Sequence, residues 1–445
     1  MSVPRRSPEG RPERPNDHVL TSIEICAGAG GQAIGLHQAG FKHLALVEID
    51  PYAVKTLREN IKSLDEWSWE REYCDVLSGD VNDFRPLPNA DGSQADLQKS
   101  VNFFGRPLLK KELDLLAGGV PCPPFSHAGK QLGKDDERDL FPRMLELVDE
   151  LHPRAVMIEN VRGIKDAKFE EYRRYIEARL QGGRAQRPET GVEEVFDGLG
   201  YEVCEWDVLE ASDFGVPQLR PRAVLVAIRK DVLGDLKFVW PTATQAPKSV
   251  FVALKESMED RYKPYISAGG EIAELAKGRL AEWKRLASLA ADARKDGGVA
   301  PTLVGGSKKH GGADLGPSRA KAAWKNLGVS GMGVANGYEE GERKESQGRD
   351  LFGSDGPMLT VEQAAIIQGF PDNWKFTGGK TAQYRQVGNA FPPPVAQAVG
   401  KAIADVLYAA RVRDARAEGE RRDALPGQGA SAVADSLDDR QRAGV

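Results

Sequence analysis

The chain has 445 residues, a formal net charge of -5 at pH 7, and contents of 40% hydrophobic and 29% charged residues. That length exceeds what one hydrophobic core usually organises, so we expect two domains, or one large domain with a sizeable insertion. The net charge gives no overall attraction to nucleic acid, so any DNA binding must come from a local basic surface. No apolar stretch reaches the roughly 20 residues of a membrane span, and no apolar segment follows the N-terminal arginines, which predicts a cytoplasmic protein without membrane insertion.

The ends of the chain differ in composition from its middle. Residues 1–17 are rich in Pro, Arg, Glu and Ser, and residues 411–445 are charged with few large apolar side chains, which is typical of disordered tails. Between them, β-type runs alternate with helix-type runs, and the predicted strands are 19–25, 44–47, 113–116, 155–158, 202–208 and 223–228. The alternation predicts an α/β fold with a doubly wound, mostly parallel sheet.

A glycine-rich loop, CAGAGGQA at 26–33, follows the first predicted strand, and Glu48 ends the second. Glycines let the backbone approach a ligand at the carboxyl end of a strand, and Glu48 can accept both hydroxyls of a ribose. Gly28, Gly30 and Ala33 also satisfy the G-x-G-x-x-A dinucleotide pattern. The loop alone therefore fits a nicotinamide cofactor, S-adenosylmethionine or a simple connection from strand to helix.

Cys122 lies between prolines in GVPCPPFS at 119–126, directly after the predicted strand at 113–116. The chain has 4 cysteines, far apart and without a C-x-x-C pair, which argues against a zinc site or a disulfide framework, and we expect no bound metal. A single cysteine most often packs as a small apolar side chain. Prolines on both sides hold this thiol in a rigid loop at a strand end, which favours a nucleophile instead.

Two further polar groups end or precede predicted strands. Glu159, in ENV at 159–161, faces the same crevice as Cys122 if the two strands are neighbours; a solvated strand-end glutamate is the alternative. Arg220 and Arg222, in QLRPR at 218–222, project to one side of an extended segment, which suits holding a phosphate, a carboxylate or a base carbonyl. An ordinary surface salt bridge is the competing interpretation.

The alternation of predicted strands and helices ends after Pro241. Apolar residues recur at helical spacing between Ile272 and Leu289, and a Gly-, Lys- and Ser-rich stretch follows at 297–353. We predict a separate, smaller, irregular domain at 238–380. A helix at 395–407, after three prolines, is expected to return to the sheet, so the main domain comprises 18–237 and 381–410.

In order and spacing, these elements resemble the DNA (cytosine-5)-methyltransferases of bacterial restriction-modification systems. The resemblance covers about 20–230 and 355–405. Its motifs are CAGAGG at 26–31 for F-A-G-x-G-G, Glu48, GDV at 79–81 for G-D-I, Pro121-Cys122 for P-C, ENV at 159–161, QLRPR at 218–222 for Q-x-R-x-R, Asp136–Phe141, QGFP at 368–371 and GNA at 388–390. Cys26 replaces the family's Phe, Ile49 an aromatic and Pro123 a frequent Gln.

The resemblance implies a Rossmann-like fold that takes S-adenosylmethionine, with the irregular domain recognising the target. It implies methyl transfer to C5 of cytosine through a covalent bond from Cys122 to C6 of a flipped-out base. The implied catalytic residues are Cys122, Glu159, Arg220 and Arg222. The implied cofactor-binding residues are Cys26, Ala27, Gly28, Gly30, Gly31, Glu48, Ile49, Asp80, Val81, Pro121, Leu140, Asn389 and Ala390.

The implied DNA-binding residues are Gln218, Ser307, Lys308, Lys309 and Arg319. Double-stranded DNA is the expected partner, the chain is expected to be a monomer, and a restriction endonuclease acting on the same site would be its cognate enzyme. An RNA cytosine-5 methyltransferase, an NAD-dependent oxidoreductase and a non-catalytic DNA-binding protein are the alternatives. The long insertion favours duplex DNA over RNA, and the oxidoreductase leaves Cys122, Glu159 and Arg222 unexplained.

Overall fold

The computed structural model describes residues 19–88, 96–121, 139–188, 190–243, 245–293, 297–305, 315–336 and 344–424. Within these ranges the strands are β1 (Leu20–Ile25), β2 (Phe41–Glu48), β3 (Asp75–Ser78), β4 (Leu115–Gly119), β5 (Ala155–Val161), β6 (Gly183–Gln186), β7 (Glu193–Phe196), β8 (Tyr201–Glu210) and β9 (Pro221–Arg229).

The helices in the same ranges alternate with the strands and then dominate the second half of the chain. They are α1 (Gly31–Gln38), α2 (Pro51–Ser63), α3 (Ser68–Tyr73), α4 (Ser100–Phe104), α5 (Phe141–Leu151), α6 (Glu170–Gln181), α7 (Lys230–Leu233), α8 (Val250–Ser267), α9 (Gly270–Ala293), α10 (Ser318–Asn326), α11 (Lys344–Asp350), α12 (Val361–Gln368), α13 (Lys380–Asn389) and α14 (Pro393–Ala424). Within the described part of the chain, no helix combines the length and the apolar character needed to cross a membrane.

Seven strands form one sheet in the order β3-β2-β1-β4-β5-β9-β8. The strands from β3 to β5 are parallel, while β9 runs antiparallel to both β5 and β8. This confirms the predicted doubly wound, mostly parallel sheet. Because the chain order reverses between β1 and β4, a crevice opens at the carboxyl ends of these two strands.

Side chains alternate between the two faces of the sheet, as the pleat requires. Ile23 and Ile25 belong to a buried cluster with α5 and α6, whereas Ala117 and Met157 belong to a cluster with α14 on the opposite face. All six predicted strands are present. Two features were not predicted: the separate β6–β7 hairpin and β3, whose four residues form no clear apolar run and are only partly buried.

The region predicted as irregular contains long helices. α8 and α9 pack together, and α9 covers the apolar repeat from Ile272 to Leu289. The helices α9 and α10 share a core with the main domain, because Trp283 and Trp324 belong to the same cluster as Leu57 and Trp67. The boundaries at 238 and 380 therefore remain a prediction.

The prediction of a disordered tail from residue 411 is wrong for its first part, since α14 continues to Ala424. Arginines attach this extension to the domain: the Arg411 guanidinium contacts the Asp114 carboxylate at 3.0 Å and donates to the Val19 carbonyl at 3.2 Å. Arg413 donates to the Leu233 carbonyl. The predicted tails at 1–17 and 425–445 lie outside the described residues.

Candidate active site

The glycine-rich loop turns sharply where β1 ends. Cys26, Gly28 and Gly30 have φ values of 52°, 54° and 94°, in the left-handed region that glycine adopts without strain. The Trp374 indole donates to the Ala29 carbonyl at 3.0 Å. A Cβ atom on Gly31 would lie 2.3 Å from the Phe391 carbonyl oxygen, so only glycine fits there.

Glu48 fixes this loop against the end of β2. Its Oε2 accepts a hydrogen bond from the Gly28 amide at 2.7 Å, and its Oε1 accepts from the amides of Ile49 and Asp50 at 2.9 and 2.7 Å. A carboxylate held by three backbone amides keeps a fixed position. Glu48 is thus oriented at the rim of the crevice, where the sequence placed a ribose-binding acid.

The second side of the crevice is formed by β4 and β5, which are neighbours in the sheet, as Glu159 requires in order to reach the crevice. Gly119 and Glu159 are aligned in the parallel register, and a Cβ atom on Gly119 would lie 3.0 Å from Glu159 Oε2. Asn160 is buried and donates to the Val120 carbonyl at 2.7 Å. That bond fixes the chain immediately before Pro121, from which the segment with Cys122 departs.

Glu159 and Arg222 form an ion pair inside the crevice. The Arg222 Nε lies 2.9 Å from Glu159 Oε1, and both side chains are only 13% exposed. Burial raises the pKa of Glu159 above its usual value, although the charges of Arg222 and Arg220 oppose that shift. A carboxyl with a raised pKa, held by an arginine, can hold a proton nearer to neutral pH than an exposed glutamate does.

One cavity of about 230 Å³ joins both sides of the crevice. Its lining includes the predicted residues Cys26, Ala27, Gly28, Gly31, Glu48, Glu159, Asn389 and Ala390. Six other predicted cofactor residues are described but do not line it: Gly30, Ile49, Asp80, Val81, Pro121 and Leu140. Asp80 and Pro121 are exposed, and Val81 is buried and accepts a hydrogen bond from Arg143.

Several predicted residues cannot be placed. Cys122 lies outside the described residues, as do Ser307, Lys308 and Lys309. Cys26 does line the cavity, but burial and the charge of Glu48 raise the pKa of its thiol to about 12. Since only a thiolate is strongly nucleophilic, Cys26 is unsuited to be the nucleophile. No group of three or more possible metal ligands occurs among the described residues.

Comparison with known proteins decides the family. The model of the C-5 cytosine-specific DNA methylases matches residues 20–405. The chain belongs to this family. The Type II methyltransferase M.NaeI of Lentzea aerocolonigenes is 45% identical over 91% of this chain and 77% of its own length. M.NgoMIV of Neisseria gonorrhoeae is 40% identical over 87% of this chain and 98% of its own, and M.Eco47II of Escherichia coli is 31% identical over 88% and 80%.

Membership in the C-5 cytosine-specific DNA methylases makes the chain a DNA (cytosine-5)-methyltransferase. Membership in this family excludes two of the alternatives, a nicotinamide-dependent oxidoreductase and a non-catalytic DNA-binding protein. Of the motifs that carry the resemblance, the glycine-rich loop, Glu48, Glu159 and the Asn389–Ala390 pair contribute residues to the lining of the cavity.

Two predicted roles in this methylase need correction. Arg220 is 1% exposed and donates to the carbonyls of Leu303, Gly388 and Ala390, so it is a positioning residue rather than a catalytic one. Gln218 is fully buried and bonded to Gln368, which excludes the predicted contact with DNA. A two-residue spacing places side chains on one side of a strand but does not reveal what covers that side.

Arg319 is a predicted DNA-binding residue that the structure places at the surface. It lies in the first turn of α10 and is exposed, which is compatible with a contact to phosphate. The methylase also has polar residues in the cavity that the sequence analysis overlooked. Glu24 and Gln32 line the cavity, and they are 1% and 4% exposed. An acid inside an apolar strand such as LTSIEI was the signal that could have identified Glu24.

Proposed function

We propose that this methylase transfers a methyl group from S-adenosylmethionine to C5 of a cytosine that is flipped out of double-stranded DNA, through a transient bond between Cys122 and C6. One observation carries the proposal. Glu159, which is paired with Arg222, and Glu48 both line a single cavity that the glycine-rich loop borders. A base and a methyl donor would therefore meet within one pocket.

Buried polar atoms support an S-adenosylmethionine site. Glu24 Oε2 and both amide atoms of Gln32 are buried without a hydrogen-bond partner. Buried polar groups are rarely left unpaired, so a polar ligand is expected to meet them. Burial and the charge of Glu48 raise the pKa of Glu24 well above its usual value, while Gln32 opposes the shift. Arg385, which borders the same cavity, adds a cation for a carboxylate.

The order of the strands predicts how the donor would lie. Glu48 ends β2 and would hold the ribose, while Glu159 lies on β5 beside the cytosine. β1, with Glu24, lies between β2 and β4, so the amino-acid end of the donor would lie over Glu24 and Gln32. When bound, the sulfonium supplies an electrophilic methyl group and leaves as a neutral thioether.

The residues at the base end would make C5 reactive. Cytosine C5 is a weak nucleophile, so attack of the Cys122 thiolate on C6 is needed to move electron density into the ring. Glu159 would hold a proton at N3, and Arg222 would donate to O2, which offsets the developing negative charge. After transfer the C5 proton is lost, the bond from sulfur to C6 breaks, and the aromatic ring is restored.

The target base must leave the helix for this chemistry. C6 is inaccessible within stacked DNA, so flipping is required at a cost of about a few kcal/mol, which contacts in the pocket and with phosphates would offset.

We further propose that the protein is a cytoplasmic monomer. In a bacterial setting its methylation would protect DNA from a restriction endonuclease that cuts the same site.

Bisulfite sequencing of DNA from cells that express the protein tests the whole proposal. Unconverted cytosines within one recurrent sequence are the expected result, and that sequence is the recognition site. Purified enzyme would be assayed in parallel on duplex DNA and on transfer RNA. Transfer to RNA alone would reject DNA as the substrate in favour of an RNA cytosine-5 methyltransferase.

Replacing Gln32 with leucine is expected to weaken binding of S-adenosylhomocysteine by about tenfold, the value of one buried hydrogen bond. Binding of 5′-methylthioadenosine, which lacks the amino-acid end, should change little. Isothermal titration calorimetry with both ligands measures the difference. An equal loss for both would show that Gln32 supports the fold of the cavity and does not contact the amino-acid end.

The segment at 238–380 is proposed to recognise the DNA sequence. Exchange of residues 300–350 for the corresponding segment of a relative with a different recognition sequence should transfer that preference. Bisulfite sequencing reads the result directly, and thermal unfolding shows that the exchanged protein is folded. Methylation at the original sequence by the exchanged protein would reject this assignment.

A further inference from the structure

Arg220 joins two parts of the molecule that are distant in sequence. Its Nη1 donates to the Leu303 carbonyl at 2.7 Å, and its Nη2 donates to the carbonyls of Gly388 and Ala390 at 2.7 and 2.9 Å. We name residues 300–305 the recognition-side segment and residues 388–391 the cavity-side segment. The guanidinium is 1% exposed, so both segments are bonded to one buried group.

The recognition-side segment is attached to the stretch that carries Arg220, immediately before β9. The Leu219 amide donates to the Ala300 carbonyl at 2.8 Å, and the Thr302 hydroxyl donates to the Leu219 carbonyl at 2.6 Å. Gln218 Oε1 accepts from the Leu303 amide at 2.7 Å. These bonds hold the first residues of the 300–350 stretch, whose exchange is proposed above to transfer the sequence preference.

The cavity-side segment forms one wall of the cavity. Asn389 and Ala390 line it, and Phe391 borders the glycine-rich loop. The two segments are in direct contact, because a Cβ atom on Gly388 would lie 2.7 Å from Gly305 Cα. A shift of the recognition-side segment would therefore displace the wall.

We propose that Arg220 couples recognition of DNA to binding in the cofactor cavity, by holding the recognition-side and cavity-side segments as one unit. The inference rests on the proposed function. Arg220 touches no reacting atom in this arrangement, so it acts as a positioning residue. A guanidinium suits the role because its fork of donors can reach carbonyls of both segments, which the compact ammonium of lysine cannot.

Coupling has a measurable consequence. If recognised DNA favours one position of the recognition-side segment, binding of that DNA must change the affinity of the cavity for its ligand. The ligand must then change the affinity of the protein for DNA by the same factor. We expect a duplex that contains the methylated sequence to tighten binding of S-adenosylhomocysteine by about tenfold or more, within the usual range of such effects. A duplex without that sequence should have little effect.

The test compares Arg220→Lys with the wild-type protein and with Arg261→Lys. Arg261 is a half-buried arginine, which donates to the Met358 carbonyl and to Gln363 Oε1 at 2.8 and 2.7 Å and does not line the cavity. The measured quantity is the ratio of the Kd values of S-adenosylhomocysteine without and with the recognised duplex. Both variants lose buried hydrogen bonds, so thermal unfolding serves to match their losses of stability.

We expect the ratio to fall to about twofold or less in Arg220→Lys and to stay near its wild-type value in Arg261→Lys. An unchanged ratio in Arg220→Lys, or a wild-type protein whose affinity for S-adenosylhomocysteine ignores DNA, would overturn the coupling while leaving the methyltransferase activity intact. A wild-type protein that does not bind S-adenosylhomocysteine would instead overturn the proposed function. Thr302→Val, which removes one bond between Thr302 and Leu219, replaces Arg220→Lys if that variant does not fold.

Discussion

Replacing Cys122 with serine is expected to lower the rate of methyl transfer by about 10⁴-fold or more, as for other enzymes that lose their nucleophile. The attacking species is the thiolate, and the hydroxyl of serine does not ionise at neutral pH. Binding of DNA and of S-adenosylhomocysteine should persist, because the substitution changes one atom. Single-turnover transfer of a labelled methyl group to DNA measures the loss.

A covalent adduct gives an independent readout of the same residue. With 5-fluorocytosine at the target position, the group on C5 cannot leave as a proton, so the bond between Cys122 and C6 would persist and survive denaturation. The wild-type protein and Cys204→Ser, which removes a half-buried thiol on β8, should both form this adduct. Cys122→Ser should form none. Methyl transfer by Cys122→Ser at a near-normal rate would refute the role of this residue.

The sequence predicted six of the seven strands of the sheet, because most of these strands contain an apolar run, which β3 lacks. All six predicted strands lie within the sheet, and β4 and β5 are neighbours in register, which brings Glu159 to the crevice. The prediction depended only on chain order, since parallel strands end at one edge. The pairing of Glu159 with Arg222 could not be predicted from chain order alone, because β9, which carries Arg222, joins the sheet in the antiparallel direction.

The roles of Gln218 and Arg220 could not be predicted from the same pattern. Their partners are Leu303, Gln368 and Gly388, which come from parts of the chain far along the sequence. A local motif shows that polar groups alternate along a strand, but only the packing of remote segments shows that they are buried. Because both side chains are buried, Gln218 and Arg220 make hydrogen bonds within the fold instead of the predicted DNA contact and the predicted catalytic contact.

The buried polar residues of the cavity, Glu24 and Gln32, were missed because their burial also depends on the packing of the fold. Gln32 follows the glycines of the loop and lies in the first turn of α1, where its side chain could have faced solvent. Only the fold places it inside, beside the Glu24 carboxyl. The acid in a buried strand was visible in the sequence, but its partner on the helix was not.

Replacing Glu159 with glutamine is expected to lower the single-turnover rate by about 10²- to 10⁴-fold, the usual effect of removing a general acid. The amide can still donate a hydrogen bond to N3 but cannot transfer a proton. Glu177→Gln is the matched control, since burial also raises the pKa of Glu177, which lies on α6 outside the cavity. A Glu159→Gln protein that retains the wild-type rate would remove the proposed acid from the mechanism.

The dependence of that rate on pH separates a proton donor from a merely polar group. The reaction needs Cys122 as thiolate and Glu159 protonated, and burial raises the pKa of Glu159 towards that of a thiol, which is usually about 8.5. Between the two pKa values, the gain in thiolate as pH rises is cancelled by the loss of protonated Glu159, so the wild-type rate should be flat. In Glu159→Gln nothing cancels the gain, so the rate should climb by about tenfold per pH unit until the thiol is ionised. Parallel profiles for wild type and Glu159→Gln would show that Glu159 does not supply the proton, whereas Glu177→Gln should reproduce the wild-type plateau.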